Sequence, residues 1–464
     1  MIKNLVEFTH DKANKTSVLF SRFVVAILII IISVIRIWVY GNPNLSISGN
    51  DTITYIQASQ VPLFSSEMMT GRRLLGTNLI YKVLEPKDGY QVIVNGSIDT
   101  TSRDFQPGLN RIAILQLILS VAGWAFFAFV VSEHLTNLSM KLVSVFIILL
   151  FAFTPQMADW DSILMSESLT FSLFALQLAL LVKLVFSLYK GQGTKIFPYF
   201  AAWVITFFIW TFLRDTNLFA SLVTIGMGGI LLLAPKYRGS KYLYGALFFT
   251  IAIFAVGAFT SGNSTRSLVQ IVNIYNDDLL KSEEGIVTLT MLGMPEHTSA
   301  AYPAWFQKNA KSTLIKYMFI HPGYPATKIF RDFPFAFTEI KQTYFHLREH
   351  KSFRNFLMNI GDTLHPENTT PFLANILLLF GLILLAVKNT NQTSRPWAWI
   401  AVWLFLTAGI TLIPTILGDT WALNRHALFS TMIYRMCMWL FAIIVMDIAI
   451  AGNDAVESQQ IQHH

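Results

Sequence analysis

The chain has 464 residues, of which 53% are hydrophobic and only 13% charged, with a mean hydropathy of +0.51 and a formal net charge of +7. That balance belongs to an integral membrane protein and excludes a soluble globular domain. The single cysteine, Cys437, lies in an apolar run near the C-terminus, which excludes an outer domain built on disulfides.

A helix needs roughly 20 mostly apolar residues to cross about 30 Å of hydrocarbon. Ten runs meet or approach that length, near 21–40, 110–132, 141–154, 164–187, 197–213, 217–234, 243–260, 371–388, 397–416 and 427–450, the third and sixth being short. None shows the apolar–polar alternation of a membrane β-barrel strand. The expected fold is therefore an all-α polytopic protein of about ten transmembrane helices. The membrane domain covers 21–450, with cytoplasmic tails at 1–20 and 451–464 and two long outer loops at about 41–109 and 261–370.

The first run follows a 20-residue tail and reads as an uncleaved signal anchor, because Arg36-Ile37-Trp38-Val39-Tyr40 is no small-residue cleavage site. A cytoplasmic N-terminus puts thirteen lysines and arginines of the tail and short loops inside, from Lys3 to Arg395. Only Arg214 and Arg425 are left in the short outer turns. That bias sets the orientation and returns the C-terminus to the cytoplasm.

The first outer loop opens with Ser48-Gly49-Asn50-Asp51-Thr52-Ile53-Thr54-Tyr55. A carboxylate at the membrane surface suits a base beside a lipid head group. The alternative is that Asp51 caps a surface helix and Tyr55 anchors it at the interface. The Asn-x-Thr sequon at Asn50 is read as unused, since a glycan there would block the site. Further on, Arg72-Arg73-Leu74-Leu75 with Leu79-Ile80-Tyr81 suits an interfacial helix, as does 303–321, where Trp305, Phe306, Ile315, Met318 and Phe319 alternate with Lys308, Lys311 and Lys316. Either segment equally suits a cap over the bundle.

The outer turns are rich in charge. Before the fourth run stand Asp159-Trp160-Asp161-Ser162 and then Glu167. Asp161 or Ser162 suits a helix N-cap, whereas Glu167 falls more than a turn inside the expected helix. Arg214-Asp215-Thr216-Asn217 reads as a cap with Arg214 paired to Asp215. At the last outer turn Asp419 precedes Asn424-Arg425-His426, and Arg435 follows inside the run, where a charge needs a partner or a wet cavity. The planar fork of Arg425 suits a lipid phosphate. The second outer loop is basic between Lys308 and Arg354, with nine Lys or Arg against three Asp or Glu. The chain shows no internal repeat, glycine-rich phosphate loop or clustered Cys/His metal signature, and no nucleic-acid partner is expected.

The order of these features resembles the GT-C glycosyltransferases, the superfamily that includes the protein O-mannosyltransferases and the bacterial lipid A aminoarabinose transferase. The shared features are a carboxylate early in the first outer loop with a tyrosine four residues on, an acidic turn before the fourth span, an Arg-x-Thr at an outer helix start, and an arginine at the last outer turn. The resemblance implies a polyprenyl-phosphate-linked sugar donor, an acceptor of lipid, glycan or protein, contact with membrane lipids, and a site at the outer face. Within that frame Asp51 is the catalytic carboxylate, with Asp159, Asp161 and Glu167 as further candidates. Tyr55, Arg72, Arg214, Arg425 and His426 are candidates for substrate binding. A divalent cation held by Asp51 with Asp159 or Asp161 is a further expectation, if the first loop folds over the fourth span.

Two other classes stay open. A lipid-linked glycan transporter or flippase would share the spans and arginines but needs no ordered outer carboxylate. An O-antigen ligase or polymerase would centre on the second outer loop, through His321, Arg331 or Arg348.

Overall fold

The computed structural model describes residues 2–42, 45–49, 51–93, 105–191, 196–344, 349–388 and 392–462; for 2–18 and 453–462 only the backbone is described. Asn50 with its sequon, Lys195 and Arg348 lie outside the described residues. The helices in chain order are α1 Ile2–Tyr40, α2 Thr52–Ser59, α3 Glu67–Thr70, α4 Leu75–Leu84, α5 Asn110–Glu133, α6 Leu138–Phe153, α7 Pro155–Ala158, α8 Ser166–Lys190, α9 Ile196–Thr211 and α10 Ala220–Leu233. After these come α11 Lys241–Gly262, α12 Leu268–Ile274, α13 Glu283–Met291, α14 Tyr302–Ile320, α15 Gly323–Asp332, α16 Lys351–Leu364, α17 Thr370–Lys388, α18 Ser394–Gly418 and α19 Leu423–Gln462. Among the described residues there is no strand, only two isolated bridges that both involve Ile47.

Each of the ten apolar runs falls on a helix, and among the described residues eight helical stretches are long and apolar enough to cross a membrane. The third run is a broken span, Leu138–Phe153 meeting Pro155–Ser162 at 51°. Proline has no N–H to give and its ring crowds the carbonyl four residues back, so α6 ends at Phe153 and the chain restarts at Pro155. The fifth run, Ile196–Thr211, has 16 residues and is short for a full crossing. A count of ten is therefore the upper reading of eight clear spans, one broken and one short.

The bundle is centred on α8, which packs against α5 and α9. Gly123 permits the approach of α5: a Cβ there would lie 2.7 Å from the Ser172 carbonyl oxygen. Every residue from Phe151 to Ala175 is buried, so the acidic turn between α7 and α8 is a core element rather than a surface loop.

The segment expected as the first outer loop packs into the main core through Tyr55, Leu74 and Tyr81, the two tyrosine rings stacking at 5.5 Å. In the second, α12 to α14 enclose a small core of their own around Ile274, Tyr275, Leu289, Phe306, Leu314 and Tyr317. Helix α14 thus buries Phe306 inward and leaves Ile315 and Phe319 exposed.

Arg435 is fully buried in α19 and makes neither an ion pair nor a contact open to lipid phosphate. Its Nη2 donates to the Phe337 carbonyl at 2.6 Å and its Nε to the Pro366 carbonyl at 2.9 Å, which ties both ends of the stretch between η-turn Phe335–Phe337 and α17 to one side chain.

Candidate functional site

The stretch before Asp51 is laid along the acidic turn by backbone bonds. Ile47 N donates to the Ser162 carbonyl at 2.8 Å, and Leu164 N donates to the Ile47 carbonyl at 2.9 Å. Thr52 extends the match: its hydroxyl accepts from Gly49 N at 2.8 Å and donates to the Leu164 carbonyl at 3.1 Å. A Cβ at Gly49 would lie 2.2 Å from the Met165 sulfur, so a larger residue there would have to displace the Met165 side chain.

Asp51 occupies the N-cap of α2, yet its carboxylate makes no capping bond. Both oxygens go to arginines instead. Oδ1 lies 3.0 Å from Arg73 Nη2, and Oδ2 accepts from Arg425 Nη2 at 2.8 Å. Arg73 is steadied by Thr54, whose hydroxyl accepts from its Nε at 2.7 Å, and by the Tyr55 ring, 4.0 Å from its guanidinium carbon. Arg425 reaches two further groups: its Nε donates to Glu167 at 3.2 Å and its Nη1 to the Tyr344 hydroxyl at 3.2 Å. Asp51 is 36% exposed, Arg73 and Arg425 are 22% and 21% exposed, and Glu167 only 1%. Burial alone would raise the pKa of Asp51, but Arg73 and Arg425 outweigh it and hold the carboxyl below its ordinary value. Burial pushes the Tyr55 phenol upward, so Tyr55 stays protonated and serves as a platform.

The remaining expected residues fall elsewhere. Arg72 is exposed, and its neighbour Arg73 is the one turned to Asp51. Arg214 does not pair with Asp215; Arg266 does, through two bonds of 2.9 and 3.0 Å, while its Nη1 reaches the Met69 and Gly71 carbonyls and so fixes the turn that leads to Arg73. His426 is turned to Asp419, at 2.7 Å. His321 and Arg331 lie in the α12–α15 unit, with His321 facing Thr288 and Glu284 and Arg331 bound to Asp278 and Asp332.

Asp159 and Asp161 are engaged within the core. Asp159 accepts from Arg354 at 2.6 Å and from Gln342 at 3.2 Å; Asp161 accepts from Arg36 at 2.5 Å and from Ser168 at 2.5 Å. The donor set therefore does not fit a divalent cation shared by Asp51 with Asp159 or Asp161: the three carboxylates are bonded to four different arginines, a glutamine and a serine, and guanidinium groups repel a cation. Among the described residues no three His, Cys, Asp or Glu side chains group as a metal site.

Sequence reasoning missed Arg73, Tyr344, Arg36 and Arg354. For Arg36 a signal existed: a charge inside an apolar run is expensive and demands a partner, the same reasoning that was applied to Arg435.

No protein-family model matches the chain, and no curated protein matches it. Three solved structures of an oligosaccharyltransferase from Archaeoglobus fulgidus resemble it. One is the archaeal enzyme AglB in complex with an inhibitory peptide and a dolichol-phosphate, 11% identical, covering 92% of this chain and 50% of the other, with a TM-score of 0.44. A second is the enzyme with Zn and sulfate, 9% identical over 94% and 51%, at 0.41. The third is the enzyme tethered by a disulfide to an acceptor peptide containing the NVT sequon, 10% identical over 94% and 53%, at 0.39. The chain spans about half the length of these proteins.

Proposed function

We propose that the chain is a membrane glycosyltransferase of the GT-C kind, moving a sugar from a polyprenyl-phosphate donor to an acceptor hydroxyl at the outer membrane face. The observation that carries this reading is the carboxylate of Asp51, partly open to solvent and set between Arg73 and Arg425, which come from distant parts of the chain. A base and two phosphate-binding forks then share one spot.

The acceptor oxygen attacks the anomeric carbon while Asp51 takes its proton. The bond from that carbon to the phosphate oxygen breaks, and the lipid phosphate keeps the electron pair and is held by Arg73 and Arg425. A phosphate leaves as a stabilised anion, so one carboxylate suffices where glycoside hydrolases need two.

As folded, Asp51 is a weak base, because two arginines hold its pKa down. The donor phosphate competes for the same guanidinium hydrogens. Once it takes them, Asp51 loses its cations and gains an anionic neighbour, and both changes raise its proton affinity. The donor thus prepares the base.

Asp51→Asn tests this in purified full-length protein supplied with a polyprenyl-phosphate sugar. A loss of about 10²–10⁴ in turnover at normal expression is expected from removing a positioned base. Near-normal transfer would overturn the assignment.

Asp51, Glu167 and Arg425 meet at one end of the bundle, while Arg22, Glu133 and Lys183 meet at another site and Asp447 accepts bonds from Thr136 and Asn137. The Lys/Arg bias supports an outer position for the Asp51 end. Tyr237→Cys labelled by an impermeant thiol reagent on intact cells would reverse that orientation; Ala300→Cys should label instead.

A further inference from the structure

The Asp159-Trp160-Asp161 turn sits at the junction of two chains of contacts that end on the two members of one ion pair. In one direction, Ser162 and Leu164 hold Ile47 and Thr52 and so place Asp51. In the other, Asp159 accepts from Gln342 Nε2 at 3.2 Å, Gln342 Oε1 accepts from Tyr344 N at 2.6 Å, and the Tyr344 hydroxyl meets Arg425 at 3.2 Å. The turn itself is held from outside its own helices. Arg36 on α1 binds Asp161 and also donates to the Ala158 carbonyl at 3.2 Å; Arg354 on α16 binds Asp159. Both guanidinium carbons lie over the ring of Tyr40, at 4.6 and 4.3 Å.

We infer that this acidic turn is a positioning clasp for the Asp51 site, in which Arg36 and Arg354 supply the counter-charge that would otherwise fall to a divalent cation. Asp159 and Asp161 touch no reacting atom; they set the separation of Asp51 and Arg425 through Ile47–Thr52 and through Gln342–Tyr344. The two carboxylates are neutralised by two arginines, all four side chains are at least nine-tenths buried, and an entering cation would meet a guanidinium at each carboxylate. Two charges buried in this way hold only as a pair, which makes the turn rigid where the site needs a fixed reference. The inference rests on reading Asp51 and Arg425 as the transfer site.

The test uses the purified full-length chain in nanodiscs, with two probes: Mn²⁺ alone, followed by its electron paramagnetic resonance, and a polyprenyl phosphate titrated by calorimetry. Gln342→Leu cuts the relay and leaves all four charged side chains of the turn in place, at the loss of one hydrogen bond to Asp159. It should weaken polyprenyl-phosphate binding about three- to tenfold, as expected for losing one interaction in a hydrogen-bonded network, with a smaller fall in thermal midpoint than Asp159→Asn. Asp159→Asn and Tyr344→Phe should each weaken binding, and the double variant should lose no more than the worse single. Wild type and Asp159→Asn should bind Mn²⁺ alike. A stoichiometric Mn²⁺ site abolished by Asp159→Asn would overturn the clasp, as would unchanged binding in Gln342→Leu or single losses that multiply. If the wild type bound no polyprenyl phosphate, the donor reading would fall instead. The clasp would then be judged by the Mn²⁺ result and by coupling of Asp159→Asn with Tyr344→Phe in the thermal midpoint, independent effects overturning it.

Discussion

Two clusters of two carboxylates and two arginines flank the same turn, and they differ in burial. In the first, Asp51, Arg73 and Arg425 face partly outward, with Asp51 the most open member and Glu167 buried behind Arg425. Asp159, Asp161, Arg36 and Arg354 are enclosed. Near solvent, ion pairs are worth little and an incoming anion can replace a partner. In the core, desolvation makes an unpaired survivor so costly that the pairs do not exchange. Composition does not separate the two clusters here; access to water does.

The largest expected contrast is in stability. Arg36→Met leaves Asp161 buried without its cation and should lower the unfolding free energy by about 3–5 kcal/mol, the range for breaking one side of a buried pair. Arg73→Met should cost no more than about 1 kcal/mol, as for pairs near the surface. Equal losses in denaturant or thermal unfolding would erase the distinction. Function should divide the other way. Arg425→Lys keeps the charge but loses the fork, and should raise the donor KM about tenfold or more with a smaller change in kcat, given about 1.5–3 kcal/mol for hydrogen bonds to charged groups. If Arg425→Lys were silent while Arg73→Lys abolished donor use, the phosphate would belong to Arg73 alone.

Salt sharpens the same contrast at lower amplitude. Raising ionic strength shortens the screening length from about 10 Å at 0.1 M to about 3 Å at 1 M. Polyprenyl-phosphate binding should weaken severalfold, while the Arg36-dependent part of stability stays constant. The smallest effect is in pH. The folded pKa of Asp51 lies below its unfolded value, so the stabilisation from its ion pairs is complete above the ordinary aspartate value of about 3.9 and is lost as pH falls through the lower folded value. Asp51→Asn should remove that acid-side loss by bringing stability near neutrality down towards its acid-side level; an unaltered acid limb would show that the open cluster does not report through Asp51.

Much of the architecture was legible because it is written in composition: an apolar run long enough to cross a bilayer has few alternatives to a helix. The third run read only as short; its break at Pro155 and the 51° bend there emerge with the packing around Phe151–Ala175. Asp51, Glu167 and Arg425 each drew attention separately, but their meeting depends on contacts across 258 and 374 positions, for which local pattern has no signal. Arg72 is the candidate in the sequence and Arg73 the residue at the site for a similar reason, since neighbouring residues point differently and Arg266 holds the Met69 and Gly71 carbonyls of the turn before them. Asp159 and Asp161 looked like site residues because acidic pairs near a membrane surface attract that reading. Their partners, Arg354 and Arg36, stand 195 and 125 positions away.

Arg435 has a consequence for how such a chain can change over time. By binding the Phe337 and Pro366 carbonyls with one guanidinium, it pins the entry and exit of the intervening stretch to a single point on the last helix. A stretch anchored in this way behaves as a cassette: its ends stay together whatever its length, and each doubling of a flexible loop adds only about 0.6 kcal/mol of closure entropy. Insertions placed away from Gln342, Tyr344 and Arg354 would therefore leave the bundle undisturbed, so that the length of this stretch can change while the packing of the helices around it does not.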